Sequence, residues 1–327
     1  MDFPEPAPGE KDFILEPTAC GICATDVKLV TKGAKEIRFA LGHELAGKIV
    51  HAPENPKWKV GQRVVVAPYL SCNQCFFCKH GQPTLCPHLY DVSILPGGLA
   101  ERVLVPAELA QRGMFPIPQK LSDELASLAE PLGCAIKGVE DSSLQKGDSL
   151  LVIGDGPMGQ LAAAAGRALG AKTVIVAGNL AHRLAVAKLH YADRVVDITC
   201  EDLAKAVADC TDRRGVDVVL ATVSSGEALV SGIASVRSGG WVNAFAGVPE
   251  GTRIELDVRR LHYQQYHLTG SSGVAPEHMA KALDLLQSKE VDYSKIISER
   301  FSFTHTGEAV AYVENRVGLK AVVTFLE

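Results

Sequence analysis

The chain has 327 residues, 47% apolar and 22% charged, with a formal net charge of −5. That composition excludes a disordered chain, and an acidic balance with no basic run excludes a nucleic-acid-binding surface. A chain this long exceeds one ordinary hydrophobic core, so two domains are expected.

The first residues, Met1-Asp-Phe-Pro-Glu-Pro, lack the basic and apolar regions of a signal peptide. Glycine or charge interrupts every apolar stretch before it could cross a membrane, so no membrane partner is expected. Nine cysteines, an odd number, fit reduced thiols and metal ligands in a cytoplasmic protein better than a disulfide framework.

Residues 1–18, rich in Pro and Glu, read as a loop leading into a short strand at 13–15. Residues 20–44 then bring Cys20, Cys23, Thr25, Asp26, Lys28, His43 and Glu44 into one short span. Thiolate plus imidazole is a donor pair that suits zinc, and a third ligand from elsewhere would leave a position open for substrate. A buried thiol and a hydrogen-bonded core histidine are the alternative for these residues taken alone. Residues 45–50, 60–66 and 98–105 are β-branched runs with a Gly61-Gln-Arg63 turn, the pattern of a β-rich domain.

Between them lies Cys72-x2-Cys75-x2-Cys78-x7-Cys86 on a polar lobe. Four thiolates at these spacings match a closed tetrahedral zinc site, which is structural because no position stays open. Two disulfides would need an oxidising compartment, and an iron–sulfur cluster of ferredoxin type would have a different final spacing.

Near residue 121 the character changes. Ser122 before two acidic residues caps a helix, and from 134 to 273 strands and helices alternate. The strands are expected at 149–153, 173–176, 194–197, 216–220 and 241–245, and the helices at 159–169, 180–189 and 204–210. That rhythm predicts a doubly wound parallel sheet, an α/β fold. A helix at 277–287 and strands at 296–303 and 320–325 close the chain.

Gly154-Asp-Gly156-Pro157-Met158-Gly159 follows the first of these strands and opens the first helix, which is the context of a dinucleotide fingerprint. Its glycines let the backbone approach a pyrophosphate, and the helix N-terminus offers unpaired N–H groups. The next strand ends in Gly178-Asn179, with no Asp or Glu between Gly159 and Asp193, so the usual ribose-binding acid is missing. Arg183 downstream could pair with a 2′-phosphate, which favours NADP(H) over NAD(H). The alternative is that Asn179 serves NAD and Arg183 is a solvated helix residue.

With these three elements in this order, the sequence resembles the zinc-dependent medium-chain dehydrogenase/reductase family, the alcohol dehydrogenase superfamily. Within it the chain looks closest to the sorbitol (polyol) and threonine dehydrogenase branch. The resemblance implies a Rossmann domain, 134–273, inserted into a β-rich GroES-like catalytic domain, 1–133 and 274–327, with the four-cysteine zinc lobe at 71–88. It implies two zinc ions per chain. The catalytic ion would take Cys23, His43 and Glu130, with Glu44 ligating or close by, and Asp26 would orient His43. Cys20 becomes a packed neighbour.

The implied reaction is hydride transfer between NAD(P) and a secondary alcohol of polyol, sugar-alcohol or cyclitol type, with zinc as Lewis acid and Thr25 passing the proton outward. Two departures stand out. Lys28 occupies the place of a histidine at the outer end of the proton relay, and the segment before Pro8-Gly-Glu is shorter than in the family. Threonine-type amino-alcohol oxidation is the nearest alternative activity. A non-catalytic, zinc-stabilised nucleotide-binding sensor is the alternative outside enzymes. The family also implies a homodimer or homotetramer acting on a small molecule.

Overall fold

The structure is a computed structural model that describes residues 4–32, 41–54, 57–288 and 290–325. It divides into two compact units: Met1–Gly133 with Val274–Ser288 and Ile297–Glu327, and Cys134–Gly273 with Lys289–Ile296. Residues 290–296, which the sequence division leaves in the first domain, group with the second. The reason is local: Tyr293 and Ile296 are buried, and the Tyr191 hydroxyl donates to the Asp292 carbonyl at 2.8 Å.

The first unit begins with β1 (Phe13–Gly21), α1 (Ala24–Lys32), β2 (Glu44–His51), β3 (Arg63–Val66) and α2 (Phe76–Lys79). It continues with β4 (Val103–Val105), α3 (Ala107–Arg112), β5 (Met114–Pro116), α4 (Asp123–Ala126) and α5 (Ala129–Glu140), whose C-terminal part passes into the second unit. β1 runs well past the three residues expected of it. Pro17 lies within it where its register against β2 shifts, between Pro17 and Ala19, a position that tolerates the missing N–H. Ser122 caps α4 by accepting from the Leu125 N–H.

The second unit alternates β6 (Ser149–Ile153), α6 (Pro157–Ala168), β7 (Thr173–Gly178), α7 (Ala181–His190), β8 (Arg194–Asp197) and α8 (Leu203–Cys210). Then come β9 (Val216–Ala221), α9 (Gly226–Ser235), β10 (Val236–Ala244), α10 (Val258–Gln264) and β11 (His267–Gly270). Back in the first unit are α11 (Pro276–Gln287), β12 (Ile297–Ser302), α12 (Thr306–Glu314) and β13 (Lys320–Thr324).

The six strands of the second unit form a wholly parallel sheet in the order β11-β10-β9-β6-β7-β8. Chain order reverses between β6 and β9, so the carboxyl ends of those two strands frame the crevice where such sheets take ligands. All residues of β6 and β9 are buried, as strands covered on both faces require. In the first unit, seven strands pair in the order β12-β13-β1-β2-β3-β5, with β4 on β1. β1 lies antiparallel to both β2 and β13, with Gly21 opposite Glu44 on one side and Val322 on the other. Among the described residues, no helix is long and apolar enough to cross a membrane.

Candidate metal and dinucleotide sites

In the first unit, the end of β1 delivers Cys23 to the start of α1, and Asp26 in the first turn of that helix is 1% exposed. Asp26 Oδ2 accepts the Cys23 N–H at 2.9 Å, and Oδ1 accepts the Gly42 N–H at 3.0 Å. The same Oδ1 lies 3.3 Å from His43 Nδ1, so one carboxylate fixes the thiol's backbone and the ring together. Burial opposes ionisation of Asp26, but His43 and the two backbone donors outweigh it and lower its pKa. Burial likewise opposes charge on His43, yet Asp26 and Cys23 outweigh it and raise the ring's pKa well above its usual value. The pocket therefore favours a cationic occupant. With Nδ1 given to Asp26, Nε2 is the nitrogen left for a metal.

Glu44, the next residue, is fully buried. Its Oε1 accepts from Lys320 Nζ at 2.6 Å, and that ammonium also reaches the Ile22 carbonyl at 3.3 Å. Lys320 is itself 3% exposed; burial works against its charge, and Glu44 and Cys23 more than restore it. Glu44 Oε2 is buried with no hydrogen-bond partner, and a Cβ on Gly21 would stand only 1.9 Å from it. One donor atom each from Cys23, His43 and Glu44 lie within 4.8 Å of one another. Thiolate, imidazole and a carboxylate with an orphaned oxygen form a donor set that fits zinc.

Glu130, expected as a ligand alongside Cys23 and His43, is not in this compact set, which holds Glu44. The physical reason is the β1–β2 register, which brings residue 44 against the strand end that leads to Cys23. Glu130 is buried in the first turn of α5, where its charge is felt by both His43 and Lys320. Thr25 and Lys28 are exposed on α1, three residues apart and so on neighbouring faces. Cys20 is fully buried, and burial pushes its thiol well up.

The second cluster is Cys72, Cys75, Cys78 and Cys86, also with Sγ atoms within 4.8 Å of one another. Cys75–Cys78 and Cys72–Cys86 are 3.5 and 3.4 Å apart at sulfur. A disulfide would need about 2.05 Å, whereas four thiolates about 2.3 Å from one zinc stand roughly 3.8 Å apart. Backbone N–H groups of Gln74 and Cys75 lower the Cys72 thiol to about 6, while burial pushes Cys86 up to about 11.

In the second unit, Gly154 turns the chain out of β6 with φ +129°, a conformation that L side chains avoid. A Cβ on Gly159 would lie 1.8 Å from the Gly154 carbonyl, so the loop closes tightly on α6. Around Gly156 there is open space: a Cβ there would meet only Arg183 Nη1, at 3.6 Å. Pro157 and Met158 open α6, whose first N–H groups have no intrahelical partner. An open backbone surface at a helix N-terminus beside the sheet's switch point fits a dinucleotide pyrophosphate. Thr222, just past β9, donates its hydroxyl to the Ile153 carbonyl and lies where a Gly154 side chain would be.

The end of β7 differs from the sequence picture. No acid stands at residues 178–192 along the chain, but one stands at the strand end in space. Asp155 Oδ2 accepts the N–H groups of Asn179 and Leu180, both at 2.8 Å. Arg183, expected as an exposed phosphate partner or a solvated helix residue, is 7% exposed with Nη1 3.9 Å from Asp155 Oδ1. Asn179 itself is exposed.

Residues 9–119 match the alcohol dehydrogenase GroES-like domain family, and residues 157–288 match the zinc-binding dehydrogenase family. The chain belongs to the zinc-binding dehydrogenases of the alcohol dehydrogenase family. Sorbitol dehydrogenase of Bacillus subtilis (strain 168) is 32% identical over 316 residues, covering 94% of this chain and 88% of that one. L-threonine 3-dehydrogenase of Enterobacter sp. (strain 638) is 30% identical over 308 residues, covering 92% and 88%. A candidate zinc-binding dehydrogenase from Sinorhizobium meliloti 1021, solved bound to NADP, superposes with a TM-score of 0.89 at 28% identity, covering 98% and 94%.

Two residues of these candidate sites escape sequence reasoning. Lys320 carries no local signal, because only the β1–β13 pairing brings it to Glu44, 276 positions away. Asp155 is in view inside the glycine fingerprint, but its side chain acts on the neighbouring strand end, which the one-dimensional pattern does not register.

Proposed function

We propose that this dehydrogenase reversibly oxidises a secondary alcohol of polyol, sugar-alcohol or cyclitol type, using a nicotinamide dinucleotide and a zinc ion at Cys23, His43 and Glu44. The observation that carries the reading is the Cys23–His43–Glu44 cluster with its orphaned carboxylate oxygen, in a chain that also has the open glycine loop at 154–159. Zinc, when bound, supplies the Lewis acidity that makes the hydroxyl easier to deprotonate, and the dinucleotide takes the hydride.

The chain's own groups do the rest. Asp26 holds the His43 ring and the Cys23 backbone in one orientation. Lys320 holds one oxygen of Glu44 and leaves the other for the metal. Glu130 adds negative charge nearby and, on this reading, acts on the metal shell through water rather than as the third ligand. Thr25 relays the substrate proton outward, and Lys28, exposed on the same helix, exchanges it with solvent. Gly154, Gly156, Pro157, Met158 and Gly159 hold the pyrophosphate, with Gly178, Asn179 and Arg183 at the adenosine end. Cys72, Cys75, Cys78 and Cys86 hold a second, structural zinc.

A carboxylate beside the cysteine–histidine pair, the sorbitol dehydrogenase similarity and the threonine dehydrogenase similarity together favour hydroxyl-rich or amino-alcohol substrates. The test is a panel of sugar alcohols, inositols, amino-cyclitols and threonine, each assayed with NAD and with NADP. Turnover confined to polyols or cyclitols supports the reading. Turnover of threonine alone selects the amino-alcohol alternative, and dinucleotide binding without turnover of any alcohol selects the sensor.

A further inference from the structure

In sheets of this kind, an acid at the end of the second strand accepts from the adenosine ribose diol and turns away a 2′-phosphate. Here that strand is β7, and its last residue, Gly178, has no side chain. The reason is spatial. An ideal Cβ on Gly178 would lie 2.3 Å from Asp155 Oδ2 and 2.5 Å from the Asp155 Cβ and Cγ. The Asp155 carboxylate already fills the volume in which a strand-end acid would begin. It is held there by the Asn179 and Leu180 N–H groups on Oδ2, at 2.8 Å each.

The backbone that carries Asp155 is fixed as well. Gln160 Nε2 donates to both the Asp155 and Arg183 carbonyls, at 3.1 and 3.0 Å, tying the glycine loop to α7. Arg183 brings its Nη1 to 3.9 Å from Asp155 Oδ1 and close over Gly156. The cation that would have welcomed a phosphate is thus partly neutralised by a buried carboxylate.

We propose that Asp155, from within the glycine-rich loop, replaces the strand-end acid and makes the site select NAD(H) over NADP(H). The proposal rests on the dinucleotide reading of the 154–159 loop. It reverses the preference drawn from the missing acid, since the acid is displaced by one loop and not lost. Asp155 presents an anion to the ribose diol, which donates to it, and repels the dianionic 2′-phosphate.

The test is isothermal titration of the zinc-loaded protein with NADH and NADPH, which reads affinity without turnover. The wild type is expected to bind NADH at least about tenfold more tightly, roughly 1.4 kcal/mol. Asp155→Asn keeps an amide oxygen for the Asn179 and Leu180 N–H groups but removes the charge, and should shrink that ratio at least tenfold, mainly through tighter NADPH. Asp155→Ala with Gly178→Asp moves the acid to the strand end and should restore the NADH preference. The proposal is overturned if the wild type binds NADPH as tightly as NADH. It is also overturned if Asp155→Asn weakens both cofactors equally, the mark of a purely structural staple. Binding of neither dinucleotide overturns the dinucleotide reading itself, and the proposal falls with it.

Discussion

Lys320 and Glu44 form an ion pair with both partners essentially out of water, 3% and 0% exposed at the side chain and 2.6 Å apart. Replacing Lys320 by Met leaves a buried carboxylate whose second oxygen already has no hydrogen-bond partner. Losing one member of a buried pair costs about 3–5 kcal/mol, or a drop of roughly 6–20 °C in melting temperature at about 2–4 °C per kcal/mol. Glu44→Gln in the wild type carries a cost of the same kind, because it strands the buried Lys320 ammonium in turn. The diagnostic quantity is the sign in the double variant. Once Lys320 is gone, Glu44→Gln removes the stranded charge, so Lys320→Met/Glu44→Gln should be more stable than Lys320→Met alone, with a coupling of at least about 2 kcal/mol. Urea and thermal unfolding followed by circular dichroism, on protein of measured zinc content, give all four corners of the cycle. Additive losses, with the double variant below either single one, would refute the reasoning that charge compensation holds this pair together.

Four further outcomes are expected. Cys23→Ser should remove one zinc per chain by elemental analysis and abolish alcohol turnover while the four-cysteine site stays filled; a full complement of two ions would sink the ligand assignment. Gly21→Ala drives a methyl into Glu44 Oε2, 1.9 Å from the ideal position, so it should empty the same site and cost about 1–3 kcal/mol, read as zinc stoichiometry and melting temperature. Cys72→Ser or Cys86→Ser should release the other zinc and open residues 71–88 to proteolysis while residues 134–273 remain protected; unchanged protease resistance of the lobe would count against a structural metal. Asp217 accepts from the Ser149 N–H and hydroxyl and from Arg237. Burial opposes its ionisation but these donors outweigh it and lower its pKa. Its contribution is therefore present above the usual carboxylate value, about 3.9, and is lost as pH falls through the lowered folded value. Asp217→Asn should cost about 1–3 kcal/mol at pH 7 and converge on the wild type in strong acid; a gap constant with pH would contradict the ionic origin.

Much of the second unit was legible because its signals are local. Buried β-branched runs, Gly170 after α6 and the 154–159 glycines announce β6, α6 and β7 within a residue or two at each boundary. The alternation also pointed to a parallel sheet, although α9, α10 and the early start of β10 at Val236 went unread. In the first unit the Pro17 signal argued for loop, and tertiary pairing on both sides of β1 overrode it. α12 was missed for a similar reason: its apolar face is short and is completed by packing against α1 and β13. The cysteine spacings and the Cys23–His43 pair could be read along the chain because metal chemistry restricts the residue types. Which glutamate stands nearest was not readable in that way, since the β1–β2 register sets Glu44 and an α5 turn sets Glu130. Lys320 and the reach of Asp155 depend on chain crossings that no linear pattern encodes.

The position of Lys320 also bears on how the chain matures during synthesis. Most of the second unit is the single continuous stretch 134–273, which can collapse as soon as it leaves the ribosome. The other unit cannot, because β1 lacks its β13 neighbour and Glu44 lacks its counter-ion until residue 320 has been translated. Until then a nascent Cys23–His43–Glu44 cluster carries an uncompensated carboxylate. Metal captured early would meet an unfinished strand, and stable loading would follow synthesis and pairing of β13 and not precede it. A ribosome-stalled chain ending before residue 320 should therefore hold the four-cysteine lobe's zinc and lack the other.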